Sequence, residues 1–129
     1  MCGITGILNF DQQPVPYSKI KLMTDSIIHR GPDGEGQWTD NYIGLGHRRL
    51  AIIDLSPAGH QPMQTRDGRY ILTYNGEVYN FKELRIELES LGYQFHSNTD
   101  SEVVLNAFAE WNDKCLEKFN GMFAFAIWD

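Results

Sequence analysis

The second residue of the chain is a cysteine, set in the opening MCGITGILNF. Chain ends fray, so a terminal thiol is poorly placed for packing and well placed for chemistry in which the terminus takes part. The thiolate is the nucleophile, and a free thiol is mostly protonated at neutral pH, so a base has to help. Removal of Met1 would leave Cys2 with its own α-amine, which is substantially neutral near physiological pH. Nucleophile and base would then share one residue. Taken alone, Cys2 reads more simply as a small residue at the edge of a core.

Further along, HRRLAIID places Arg49 where its planar fork could hold a carboxylate through two parallel hydrogen bonds, or make a weak surface ion pair. YNGEVYN contains Asn75-Gly76-Glu77: a side-chain amide and an unobstructed backbone N–H are suitable oxyanion donors. A plain Asn-Gly turn explains that dipeptide equally well. Asp100, in SNTDSE, complements a helix dipole or, with Glu77, receives an ammonium group. A thiol with its own base, an oxyanion hole, a carboxylate fork and an ammonium site together suit hydrolysis of the side-chain amide of glutamine or asparagine.

Competing chemistries are weaker. The four histidines and two cysteines show no CxxC or HxxxH spacing, so no metal is expected. Gly44-Leu45-Gly46 lacks the third glycine of a dinucleotide fingerprint, and no phosphate loop is present. Asp54, Glu77 and Asp100 have nothing in the sequence to raise a pKa for acid–base work. Phe119, Phe123, Phe125 and Trp128 read as a buried strand rather than a base-stacking surface. Cys115 reads as a core thiol.

These residues need elements to position them. Cys2 to Phe10 reads as a strand, and Tyr17 to Ile28 as a helix carrying Ile20, Met23 and Ile27, closed by His29 and Arg30 and stopped at Gly31-Pro32. Gln37 to Asp54 predicts a strand pair ending in the β-rich LAIID, and Asp67-Gly68 a hairpin. Asn80 with Glu83, and Thr99 with Glu102, make capping-box patterns at the starts of two helices. Tyr93 to His96 reads as a short strand between them. The closing GMFAFAIWD is apolar enough for a strand buried on both faces, and as a final strand it predicts a hydrophobic edge awaiting a partner. The expectation is the front part of something longer, able to self-associate through that edge.

The chain has 129 residues, 42 % hydrophobic and 22 % charged, which fits one globular domain. A net charge of -6, with no basic run longer than His47-Arg48-Arg49, argues against nucleic-acid binding. No apolar stretch is long enough to span a bilayer and no secretory leader is evident, so a cytoplasmic protein with reduced thiols is expected.

The blocks MCGITGILNF, HRGPDGEG, GHRRLAIIDLSPAGHQPM, YNGEVYNFKEL, NTDSEVVL and FNGMFAFAIWD, in that order, resemble the glutamine-hydrolysing domain of the asparagine synthetase family. That branch also includes amidotransferases acting on sugars of surface polysaccharides. The resemblance implies an α+β, N-terminal nucleophile hydrolase fold: a four-layer αββα sandwich of antiparallel sheets, C-terminally incomplete over residues 1–129. It places the nucleophile on Cys2 and the glutamine-carboxylate arginine on Arg49. The oxyanion donors fall on Asn75 and Gly76, the amine receptors on Glu77 and Asp100, and backbone pocket walls on Leu50, Ala51, Ile52 and Ile53. Arg30 and Asp33 fall on a loop near the site, with helix stop and loop packing as equally good readings. The resemblance implies no cofactor in this part; ATP and Mg would serve a separate synthetase domain, the expected C-terminal partner.

Overall fold

A computed structural model describes residues 1–129. Two three-stranded antiparallel sheets face each other, each with helices on its outer side. The first has β1 (Gly3–Leu8), β2 (Gly34–Asp40) and β3 (Ile43–Arg49) in the order β1-β3-β2. The second has β4 (Met63–Gln64), β5 (Ile71–Val78) and β6 (Gly121–Trp128) in the order β4-β5-β6. The layers are therefore α, β, β, α, the sandwich expected from the sequence.

Side-chain alternation along β3 shows how the layers close. Gly44, Gly46 and Arg48 face α1 (Tyr17–Ser26), whose Ile20 and Thr24 are buried against them. Ile43, Leu45 and His47 face the other sheet, where Ile43 and Leu45 meet Ile71. Polar ties complete the contact between sheets. The Thr73 hydroxyl donates to the Gly46 carbonyl at 3.0 Å, and His47 Nε2 donates to the Tyr74 carbonyl at 3.1 Å. The larger core lies on the other side of β5, where Leu72, Tyr74 and Val78 pack on α2 (Phe81–Ser90) and α3 (Asp100–Trp111). Cys115 is fully buried there, and burial pushes its thiol up to about 11, as an inert core cysteine should behave.

Several elements depart from the sequence pattern for identifiable reasons. The first strand is shorter than expected, and the first helix ends at Ser26, leaving His29 and Arg30 in a separate 3₁₀ turn (Ile28–Arg30). LAIID is not a strand. Its backbone donors are taken by side chains instead of a ladder: the Leu50 N–H points at Cys2 Sγ and the Ala51 N–H at Asp33 Oδ2.

Tyr93 to His96 is also not a strand, because the Glu102 carboxylate takes the His96 and Ser97 N–H groups at 2.9 and 2.7 Å. Thr99 caps α3 as expected, accepting from the Glu102 N–H at 3.2 Å, but the Glu102 carboxylate is taken by the His96 and Ser97 N–H groups and does not complete the box. Asn80 does not cap α2. Its amide instead bridges the Lys118 carbonyl and the Asn120 N–H at the entry to β6.

The closing strand is not buried on both faces. It is an edge of its sheet: Phe123, Phe125 and Ile127 pack on the helical core, while Met122, Ala124 and Ala126 are exposed. Trp128 alone on that second face is covered, packing edge-on against Tyr42 at 5.8 Å. The Asp67-Gly68 hairpin forms as expected, with Gly68 at φ +77.

Burial holds the His47 imidazole down at about 4, against 6.5 for the free side chain. Between those values the unfolded chain binds the extra proton and the folded chain does not, so stability rises with pH across the window. Acidification from pH 7 to pH 4 should therefore cost roughly 3 kcal/mol through this residue. In urea titrations at pH 7 and pH 4.5, His47→Gln should flatten that part of the slope. An unchanged slope would show that His47 is not the group responsible.

Candidate functional site

The site grows from an edge of β5 that lacks a neighbouring strand. β4 pairs with β5 only through Met63–Leu72 and Gln64–Ile71, so beyond Leu72 that side of β5 is open. In an antiparallel ladder the backbone groups of alternate residues point to the same side. Tyr74, Gly76 and Val78 thus direct their N–H groups away from β6 and into the gap.

The outer two are occupied by side chains. The Tyr74 N–H donates to Gln61 Oε1 at 2.7 Å, and the Val78 N–H to Asp100 Oδ2 at 3.0 Å. The Gly76 N–H lies between them, beside a pocket that Gly76 helps to line. Glycine is required here by close approach: a Cβ would lie 2.6 Å from the Met122 carbonyl and from Phe123 of β6. Neighbouring Asn75 faces the other sheet. Its amide makes no hydrogen bond within the protein, and its Oδ1 is buried without a partner.

The opposing sheet supplies the thiol. Cys2 immediately precedes β1, and its Sγ lies 3.3 Å from the Leu50 nitrogen, whose N–H points at it. Arg30 lies across the same residue, donating from Nε and Nη2 to the Cys2 carbonyl at 3.3 Å each. Asp33 steadies the adjoining loop: its N–H donates to the Arg49 carbonyl at 3.0 Å, and its carboxylate accepts from Ala51 at 3.0 Å. Of the two readings for this loop, packing describes Asp33, while Arg30 acts directly on the residue bearing the thiol.

Arg49 leaves the end of β3 and is gripped by the loop that follows. Nη1 donates to the Ser56 carbonyl at 2.8 Å and Nη2 to the Asp54 carbonyl. Three of the five guanidinium donors stay available. Gly59 packs so tightly that a Cβ there would sit 2.4 Å from Nη2. Hydrogen bonds from Ser56 and the Asn98 N–H hold the Asp54 carboxyl at about 2, keeping it charged and the loop tied to the start of α3.

Asp100 is buried in the first turn of α3. Its Oδ2 accepts from the Tyr74 hydroxyl at 2.6 Å as well as from Val78. Burial, reinforced by that carboxylate, pushes the Tyr74 phenol far above its ordinary value, so it remains a proton donor.

Cys2, Arg49, Leu50, Ala51, Ile52, Ile53, Asn75, Gly76, Glu77 and Asp100 all line one pocket of about 670 Å³, counting its open mouth. Residues separated by nearly a hundred positions are thus brought together. Met1 borders the pocket and is exposed. Sequence inspection missed His47, Gly59, Gln61, Tyr74, Thr99 and Ser101, which line it too. The signal for Gln61 lay in register: continued beyond Met63–Leu72, the pairing sets Gln61 opposite Tyr74. No group of three or more His, Cys, Asp or Glu side chains is arranged to hold a metal. No helix is long and apolar enough to cross a membrane.

A family model of the glutamine amidotransferase domain matches residues 1–129. The chain belongs to that family. It is 42 % identical over 132 residues to glutamine-hydrolysing asparagine synthetase 3 of Bacillus subtilis, covering 100 % of this chain and 21 % of that protein. It is 37 % identical over 130 residues to glutamine-hydrolysing asparagine synthetase B of Escherichia coli, covering 100 % and 23 %. The chain thus spans between a fifth and a quarter of these relatives. Among solved structures, glutamine phosphoribosylpyrophosphate amidotransferase of B. subtilis, complexed with ADP and GMP, matches 96 % of this chain and 34 % of its own. That match has a TM-score of 0.77 at 20 % identity, which establishes the N-terminal nucleophile amidotransferase fold.

Gly76→Ala should destabilise the domain by about 3 kcal/mol, because β6 backbone occupies the space a methyl group needs. Thermal unfolding checks this. A wild-type Tm would mean that β6 can move aside.

Proposed function

We propose that this domain hydrolyses glutamine through a cysteine thioester, and that the Cys2 α-amine, freed by removal of Met1, is the base. The observation that carries the proposal is the convergence of Cys2, Arg49, Asn75-Gly76-Glu77 and Asp100 on one pocket, with the Gly76 N–H on an open strand edge. Exposure of Met1 supports access by an aminopeptidase.

In this mechanism Arg49 takes the substrate carboxylate with its spare donors, and Asp100 with Glu77 takes the ammonium. That fixes both ends of the amino acid and aims its side-chain amide at Cys2. The amine accepts the thiol proton as sulfur attacks the carboxamide carbon. Negative charge develops on the carbonyl oxygen, where the Asn75 amide and the Gly76 N–H stabilise it; one such donor is worth roughly 100–1,000-fold in kcat. The protonated amine then gives its proton to the departing ammonia. Water, activated by the same amine, cleaves the thioester to glutamate. Arg30, by holding the Cys2 carbonyl, limits rotation of the residue that bears both nucleophile and base.

In a cytoplasmic protein built like the asparagine synthetase relatives, the ammonia would pass to aspartate activated with ATP and Mg in a separate synthetase domain. A sugar acceptor is the alternative within the same resemblance. Nothing among these 129 residues resembles a phosphate loop, so no step of the glutaminase reaction is assigned to ATP. One observation favours a second role in assembly: β6 is an open edge with Met122 54 % exposed. Light scattering that found only monomer would remove it.

Cys2→Ala should abolish glutaminase turnover while glutamine still binds, and a form that retains Met1 should be equally inactive. Full activity in either would overturn the mechanism. Arg49→Lys should raise KM for glutamine at least tenfold with a smaller effect on kcat, since lysine offers no paired fork. Steady-state kinetics on one preparation distinguish these outcomes.

A further inference from the structure

We infer that Tyr74 is a positioning residue for amino-acid selectivity: its hydroxyl fixes Asp100 so that one carboxylate oxygen faces the substrate's ammonium group. The inference rests on the glutaminase reading above.

Asp100 has two oxygens in unequal surroundings. Oδ2 takes both protein hydrogen bonds, from the Tyr74 hydroxyl at 2.6 Å and the Val78 N–H at 3.0 Å, while Oδ1 takes neither and the residue lines the pocket. A carboxylate on a single rotatable bond would otherwise turn its plane freely. Two donors on one oxygen, from different parts of β5, define that plane.

Tyr74 is itself immobile. Its ring lies in the helical core, 2 % exposed, and its backbone N–H and C=O are both held, by Gln61 Oε1 and His47 Nε2. Gln61 also donates to the Ser101 hydroxyl at 3.1 Å, tying β5 to the turn of α3 that carries Asp100. Donor and acceptor are therefore braced against each other through a second bridge. The Tyr74 hydroxyl bonds to Asp100 and to neither the thiol nor the oxyanion donors, so its effect should be confined to recognition of the amine.

The test compares glutamine with 4-carbamoylbutanoate, the same amide and carboxylate without the amine, as substrates of the Met1-processed chain. Tyr74→Phe keeps the ring and removes only the donor. Expected is a rise of about tenfold in KM for glutamine, with kcat within about twofold and kinetics on 4-carbamoylbutanoate unchanged. The selectivity ratio between the two amides should therefore fall about tenfold. Because the ratio is taken within one preparation, partial unfolding lowers both rates alike and leaves it intact.

An unchanged ratio in Tyr74→Phe, whether activity is retained or lost equally on both amides, would overturn the role of Tyr74. Asp100→Asn separates this from failure of the underlying reading. If Asp100→Asn collapses the ratio and Tyr74→Phe does not, Asp100 binds the amine without help from Tyr74. If Asp100→Asn leaves the ratio untouched, the ammonium site itself is misassigned and the inference falls with it.

Discussion

The site depends on a strand that stops early. β4 contributes only two residues, and the stretch of β5 beyond it is left with backbone donors that no neighbouring strand accepts. Exposed strand edges are ordinarily a liability. Here the edge is divided among specific partners, with a glutamine side chain at one position, an aspartate at another and the pocket between them. Two-residue periodicity sets these three donors at even spacing, so placing the outer partners fixes the middle one. The proposed oxyanion donor thus owes its geometry to sheet regularity rather than to a specialised loop.

The thiol side obeys a different logic. A chain end has little intrinsic order, and Cys2 acquires it from Arg30 on its carbonyl and from Leu50 at its sulfur. Arg30 closes a 3₁₀ turn, while Leu50 opens a loop that is neither helix nor strand and is itself held through the carboxylates of Asp33 and Asp54. Each irregular stretch surrenders ladder hydrogen bonds and recovers them from a neighbour's side chain.

How much of this was legible in the sequence follows from that division. Helices and hairpins with strong periodicity or turn chemistry are readable, and the residues that the family resemblance names do line one pocket. LAIID, Tyr93–His96 and Asn80 were misread for one shared reason. In each, a partner outside the segment, six residues away for His96 and farther for the other two, took a backbone or side-chain group that local propensity assigned to a strand or a cap. Gln61 and Tyr74 escaped notice because a buried amide and a core tyrosine look ordinary until strand register shows what they face. The closing strand was read as doubly buried because its composition is uniformly apolar, yet only alternate residues find cover.

One feature joins folding to chemistry. The thiol belongs to one sheet and the proposed oxyanion donors to the other, so the distance between reacting groups is also the spacing between sheets. Ile43, Leu45 and Ile71 form the small apolar cluster that sets this spacing, supplemented by the Thr73–Gly46 and His47–Tyr74 bonds. Small apolar contacts tolerate sliding; directional bonds do not. His47 therefore works like a dowel between two plates, fixing their lateral alignment at the strand that carries the pocket.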